Sequence, residues 1–154
     1  MAKGGAMAKS VEARLQEMED REAIRELPLK YCDLVWKQDV PGIVSLFTED
    51  GEFDAGGKVT PANGRAELLK AYQEGLGLNP RPYIHNHVFE VQSPTWAKGN
   101  CYLDLRATQD GKSMIASGYY DDVYKKVGDQ WKFRSRKFHI LFWTPLSEGW
   151  AGKK

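Results

Sequence analysis

The sequence of 154 residues is poor in the features that mark secreted, membrane-spanning or nucleic-acid-binding proteins. It has only two cysteines, Cys32 and Cys101, which are too few for a disulfide framework and are predicted to be reduced thiols. It has no apolar run long enough to span a bilayer. Charge of one sign is not in excess either, because 22 Lys and Arg residues stand against 21 Asp and Glu. Nucleic acids and anionic membranes attract a basic surplus, so neither is expected as a partner.

Motifs for common cofactors are missing as well. The sequence has no glycine-rich phosphate loop, no serine nucleophile elbow and no Cys-x-x-Cys pair. Its first ten residues lack the apolar segment of a signal peptide. We therefore predict a cytoplasmic protein without a cofactor. Its parts are a disordered arm over residues 1–10 and a single domain over residues 11–154.

The first half of the chain has the apolar spacing of helices. Ser10 can cap the first helix, and Pro28 is expected to kink or break it, because proline removes a backbone donor and clashes with the preceding turn. Asp39 and Asn63 can cap two later helices. The predicted helices cover residues 11–27, 29–35, 40–47 and 65–76.

The second half mixes β-branched and aromatic residues in a pattern typical of strands. Asp110-Gly111 and Gly128-Asp129 are hairpin signals. Strands are predicted at residues 52–54, after a turn at 49–51, and at residues 83–92, 97–108, 113–126 and 130–143. Helices followed by a meander indicate an α+β fold, in which a curved antiparallel sheet forms a cone and the N-terminal helices cover its concave face. The space between them suits an apolar pocket.

Several segments resemble SnoaL-like proteins of the nuclear transport factor 2-like superfamily. They are the opening helix at Met18–Tyr31, the step from helix to strand at Asp39–Phe53, and the last hairpin at Gly118–Arg136. The ending Phe142-Trp-Thr-Pro-Leu146 is similar to hexachlorocyclohexane dehydrochlorinase. The resemblance covers nearly the whole chain after residue 10 and implies the cone fold.

Enzymes of that family include a bile-acid dehydratase, a dehydrochlorinase and ketosteroid isomerases, and most move a proton on a hydrophobic substrate. The resemblance therefore implies a cofactor-independent lyase or isomerase. Its substrate would be a small hydrophobic molecule, aromatic or polycyclic. The family's helix Asp, strand His and second-strand Asp correspond to Trp36, Pro82 and Leu105. Tyr31 corresponds to a tyrosine of the bile-acid dehydratase, and Arg136 to a pocket arginine of the dehydrochlorinase.

A catalytic dyad can be rebuilt near the family's positions. Asp33 lies about one helical turn before Trp36. His85 lies about 10 Å along a strand after Pro82. We therefore predict His85 as a general base, Asp33 as its orienting partner and Tyr31 as the donor to an oxyanion or leaving group.

Strand alternation places His85 and His87 on one face and Asn86 on the other, and either face could look into the pocket. Asn86 and His87 are therefore predicted to bind substrate. A histidine pair also suggests zinc, but a third ligand has no obvious donor, so no metal is predicted. His139 is expected on the outer face of the sheet, and Asp122 on a solvated strand face or in an ion pair next to a turn. The other residues predicted to line the pocket are Trp36, Phe53, Tyr120, Arg136 and Phe138.

Two other functions remain open. A binding module for a small hydrophobic molecule would explain the loss of the family's catalytic positions. An assembly protein would have a pocket filled by its own aromatic side chains. Apolar or aromatic residues on both strand faces, such as Phe89, Tyr119 and Leu141, also predict a homodimer or homotrimer.

Overall fold

The computed structural model describes residues 8–57 and 59–153. Most of the predicted disordered arm, residues 1–7, lies outside the described residues. The helices come first and the long strands follow, so the predicted α+β fold is confirmed. In chain order the elements are α1 (Val11–Lys37), α2 (Val40–Ser45), β1 (Phe47–Asp54), β2 (Ala62–Asn63), α3 (Gly64–Gly75), a 3-10 turn (Leu76–Leu78), β3 (Arg81–Ser93), β4 (Trp96–Gln109), β5 (Lys112–Val127) and β6 (Gln130–Pro145).

The strands form one curved sheet in the order β2-β1-β6-β5-β4-β3. Every neighbouring pair is antiparallel except β1 and β6, which run parallel. Asp110 and Gly111 have φ angles of 51° and 72° in the β4–β5 hairpin, as its tight turn requires. Gly128, at the β5–β6 hairpin, also has a positive φ of 60°. Both predicted hairpins are therefore confirmed.

Helix α1 differs from its prediction. Ser10 caps it as expected, with Oγ accepting the Ala13 N–H at 3.1 Å. The helix then continues through Pro28 to Lys37, so the predicted break is wrong. Pro28 is fully buried, and the packing of this face against the sheet outweighs the one backbone hydrogen bond that proline removes.

The shorter elements also correct the sequence-based boundaries. Asp39 caps α2 by accepting the Gly42 N–H at 2.9 Å, but the helix ends at Ser45. The turn predicted at residues 49–51 lies inside β1, where pairing with β6 extends the strand and a register irregularity takes up the extra residues. Asn63 does not cap α3 with its side chain; instead its backbone N–H donates to the Glu67 carboxylate at 2.8 Å.

The core lies between the helices and the inner face of β4, β5 and β6. A polar contact at the end of the core joins α1 to this sheet, because Asp20 accepts from Lys126 at 2.7 Å and from the Trp131 indole at 2.9 Å. Within the described residues, no helix combines the length and apolar character needed to cross a membrane. Large buried members of the core are Ile24, Leu27, Tyr31, Val35, Leu68, Tyr72, Leu103, Tyr120, Tyr124, Phe133 and Phe138.

Candidate ligand pocket

A cavity of about 810 Å³ lies between α1, α3, β1 and the inner face of the sheet. Most of its wall is apolar, and this size suits a small organic molecule. The α3 side of the wall carries the charged residues Glu67, Lys70 and Glu74. Apolar wall residues include Val35, Ala62, Pro82, Leu105, Ile140 and Trp143.

Three tyrosines supply polar groups to this wall. Tyr31, Tyr72 and Tyr120 line the cavity and are almost completely buried. The Tyr72 hydroxyl donates to the Tyr31 oxygen at 3.0 Å, which leaves the Tyr31 proton available to a ligand. Burial raises the pKa of all three phenols. They are therefore neutral hydrogen-bond donors near pH 7. We call them the tyrosine cluster.

A buried ion pair lies behind the tyrosine cluster. Arg136 donates from Nε and Nη2 to the two Asp122 oxygens at 2.8 and 2.7 Å, and both side chains are 0% exposed. The guanidinium carbon lies 4.3 Å from the centre of the Tyr31 ring and 4.0 Å from that of Tyr120. Strand pairing creates this contact, because Asp122 of β5 is directly opposite Arg136 of β6. Asp122 therefore forms an ion pair, but the pair is buried between two strands and not next to a turn, and the alternative of a solvated face is wrong.

His87 extends this polar network away from the cavity. Its Nε2 lies 2.9 Å from the Tyr124 hydroxyl, and that hydroxyl donates to Asp122 at 3.0 Å. Because Tyr124 gives its proton to Asp122, His87 must donate from Nε2, and its Nδ1 is then a bare acceptor. Nδ1 is buried and lacks a hydrogen-bond partner within the described part of the chain. Burial lowers the pKa of His87, which favours the neutral ring.

Only part of the predicted site lies at the cavity. Tyr31, Phe53, Tyr120 and Phe138 line it, and Phe53 stacks on Tyr72 with ring centres 4.7 Å apart. Arg136 reaches the cavity only through the rings that cover it, so it does not contact a ligand as a wall residue would.

The predicted dyad of Asp33 and His85 does not form. Asp33 is exposed on α1 and pairs with Lys37 at 2.6 Å, while His85 is exposed and pairs with Asp104 at 2.9 Å. Asp104 lies on the outer face of β4, between the buried Leu103 and Leu105 of the inner face. The two side chains therefore lie outside the cavity, and a shift of three residues does not rebuild the dyad.

A β-bulge explains why the histidines are separated. Ile84 pairs with Leu103 and His87 pairs with Cys101, so β3 contains one more residue than β4 between these positions. His85 and Asn86 are both exposed at the bulge, and His87 returns to the inner face. The expectation that His85 and His87 share a face is wrong, because alternation is interrupted between them.

Trp36 lies in a different place from its prediction. It borders a shallow groove between α1 and β3 and donates from Nε1 to the Pro82 carbonyl at 2.7 Å. Cys32 and Asp33 border the same groove. Trp36 therefore fixes the helix to the edge of the sheet.

Sequence reasoning missed Tyr72 and Asp122. Tyr72 follows Leu68 by one helical turn, and both are buried on the inner side of α3. Asp122 alternates with Tyr120 and Tyr124 along β5, and this pattern marks it as an inward-facing residue. The alternation was visible in the sequence, but the partner Arg136 became apparent only from the strand register.

The sequence profile of the SnoaL-like domain matches residues 16–137. The chain belongs to the SnoaL-like family. In this SnoaL-like protein, Pro82 and Leu105 are paired across β3 and β4 and both line the cavity. These strand positions therefore face the pocket but carry apolar side chains.

Solved structures with the same fold include a candidate scytalone dehydratase from Novosphingobium aromaticivorans DSM 12444. It is 23% identical with a TM-score of 0.75, over 84% of this chain and 89% of that chain. Hexachlorocyclohexane dehydrochlorinase LinA-type3 from Novosphingobium barchaimii LL02 is 19% identical with a TM-score of 0.79, and the match covers 87% of this chain and 94% of that chain. A protein of unknown function from Mycobacterium tuberculosis is 24% identical with a TM-score of 0.71, over 88% and 78%. No curated protein matches the sequence significantly. Identities this low establish the fold alone.

Proposed function

We propose that this SnoaL-like protein binds a small, largely apolar molecule with an oxygen substituent and acts on it as a cofactor-independent lyase or isomerase. The observation that carries this proposal is the tyrosine cluster, which puts neutral donors into a largely apolar cavity. Relatives in fold named as a dehydrochlorinase and a candidate scytalone dehydratase support an elimination or a related proton transfer.

The chemistry follows from these donors. Removing a proton from the carbon next to a carbonyl, or from a phenol hydroxyl itself, puts negative charge on the substrate oxygen. Tyr31 only accepts in its hydrogen bond with Tyr72, so its own proton can be donated to that oxygen as the charge develops. The α3 wall provides carboxylates from Glu67 and Glu74 as proton acceptors. The apolar part of the wall lowers the local dielectric constant, which strengthens the hydrogen bond to the oxyanion.

The second candidate is a binding module without turnover. It is favoured by the apolar Pro82 and Leu105 at the strand positions of the family's catalytic residues, and by the location of His85 outside the cavity. Both candidates require the same pocket and differ only in whether the bound molecule reacts.

The test is a panel of aromatic diols, steroids and hydroxylated polyketides, scored separately for binding by calorimetry and for turnover by mass spectrometry. Tyr31→Phe is the test variant. Tyr102→Phe, on the outer face, is its matched control. Turnover that Tyr31→Phe reduces and Tyr102→Phe preserves supports the enzyme. Binding without turnover for every compound supports the module, and no binding at all overturns both.

A further inference from the structure

We propose that the buried Asp122–Arg136 pair makes the tyrosine cluster selective for an anionic oxygen. The ligand would be a planar apolar molecule with a phenolic or enolic oxygen, bound as its oxyanion. The inference rests on the proposed function of the pocket and adds the charge state of the ligand. Arg136 is here a positioning residue that acts through Tyr31 and Tyr120.

The first argument is the position of the positive charge. The guanidinium carbon of Arg136 lies 4.3, 4.0 and 4.1 Å from the ring centres of Tyr31, Tyr120 and Phe133. These distances are within the range of cation–π contacts. Arg136 is 0% exposed, so water does not screen its charge. Two phenols of the cavity wall therefore have a fixed cation against their rings.

The second argument is that Asp122 neutralises the positive charge of Arg136 on one side of the guanidinium only. Its carboxylate binds Nε and Nη2 of Arg136. Nη1 is also buried, and it finds no hydrogen-bond acceptor in residues 8–57 and 59–153. The Tyr124 hydroxyl donates to the same carboxylate at 3.0 Å and takes up part of its negative charge. The side of the pair that faces the rings is thus the positive one.

The third argument concerns the acidity of Tyr31. Burial raises the pKa of Tyr31, and the guanidinium opposes that increase more strongly than Asp122 adds to it. A phenol polarised in this way stays protonated and becomes a stronger donor. Hydrogen bonds from such a donor to a charged oxygen are roughly twice as strong as those to a neutral one. The wall therefore discriminates between an oxyanion and a neutral oxygen.

The probe for this inference is 4-nitrophenol, because its ionised form has its own visible absorption band. 4-Nitroanisole is the matched ligand control, since it keeps the ring and nitro group but has no ionisable oxygen. With the protein in excess, the absorption is titrated against pH. We expect the bound nitrophenol to ionise about one pH unit below the free compound, which is about a tenfold preference for the anion. Bound nitrophenol that ionises at the same pH as the free compound, or at a higher pH, overturns the inference.

The variants separate the charge from the fold. Removing only Arg136 would strand a buried carboxylate, so the test variant is Asp122→Leu with Arg136→Met, which removes both charges at similar volume. We expect this variant to lose the ionisation shift and to keep its affinity for 4-nitroanisole. Asp50→Leu with Arg134→Met makes the same changes at a pair that is in contact with solvent and should keep the shift. A shift that survives the buried double substitution also overturns the inference.

The outcomes also separate this inference from the pocket proposal. If both ligands bind equally and Tyr31→Phe weakens neither, the anion preference is wrong while apolar binding stands. If Tyr31→Phe weakens nitrophenol alone and the shift disappears in the double variant, the anion preference holds. If neither ligand binds, both proposals fail.

Discussion

The inner and outer faces of the sheet each carry an ion pair, but the inner pair is buried and the outer pair is exposed to solvent. Inside, Asp122 and Arg136 form an ion pair that is 0% exposed and lies against aromatic rings. Outside, Asp104 and His85 form a pair at a similar distance, but each is about half exposed. Water screens the outer pair and competes for its hydrogen bonds, whereas the inner pair keeps its full electrostatic effect. Residue type alone therefore does not identify a functional site, because the effect of a charged pair depends on whether the pair is buried.

The largest expected effect is on stability. Asp122→Ala leaves the Arg136 charge buried and unpaired, and we expect it to lower the free energy of unfolding by about 3–5 kcal/mol. Asp104→Ala removes an exposed partner of His85 and should change it by less than about 1 kcal/mol. Urea denaturation of the two variants compares the faces directly. Equal losses would contradict the difference between them.

The second effect is on turnover of an identified substrate. Tyr31→Phe removes a donor from the cavity wall, and a lost oxyanion donor typically lowers kcat by ~10²–10³-fold. His85→Ala changes a residue on the outer side of the bulge, so kcat should stay at its native value. Steady-state kinetics of both variants distinguish the inner site from the dyad expected from the sequence. A large loss in His85→Ala alone would restore that dyad.

The third effect is on particle mass. The outer face carries a row of aromatic rings formed by Tyr102, Tyr119 and His139, with Tyr119 and His139 stacked 4.7 Å apart. We propose that a second or third copy covers this row, giving a homodimer or homotrimer. Static light scattering should then report two or three times the 17.5 kDa of the chain. Tyr119→Glu should lower that mass, and a 17.5 kDa particle for the native protein would remove the proposal.

The smallest effect is on the pH dependence of stability. Burial lowers the pKa of His87, so the unfolded chain, with a histidine pKa of about 6.5, binds this proton more readily. Stability is therefore full above about pH 6.5 and decreases as the pH falls from there towards the folded pKa. His87→Gln should flatten this part of the profile, measured as Tm between about pH 7.5 and about pH 5. An unchanged slope in His87→Gln would assign the effect to other groups.

Much of the fold was predictable because local rules decide it. Asp110-Gly111 adopts the positive φ angles of a tight hairpin turn, and Ser10 satisfies the first turn of α1. The continuous helix through Pro28 was not predictable from local rules, since its penalty is offset by packing against a distant sheet. Location in the cytoplasm stays a prediction.

The candidate site was predictable only in its aromatic part. Tyr31, Tyr120 and Phe138 belong to apolar patterns whose inner side can be identified by helical or strand spacing. His85 could not be placed, because a bulge depends on which residues of β3 and β4 pair. One extra residue in β3 moves His85 to the outer face and leaves His87 inside.

The sequence by itself determined the family, the order of helices and strands, the caps of α1 and α2, the hairpins, and an aromatic interior. These depend on contacts between residues close in the chain or on the period of the apolar pattern. Only the tertiary structure decided which polar groups are buried. It joined Asp122 to Arg136 behind Tyr31, brought Tyr72 of α3 to the same point, and put His85 in solvent. The physical reason is that strand register and buried polar partners arise from pairing between distant segments, whereas a local pattern indicates only which face of a strand a residue occupies.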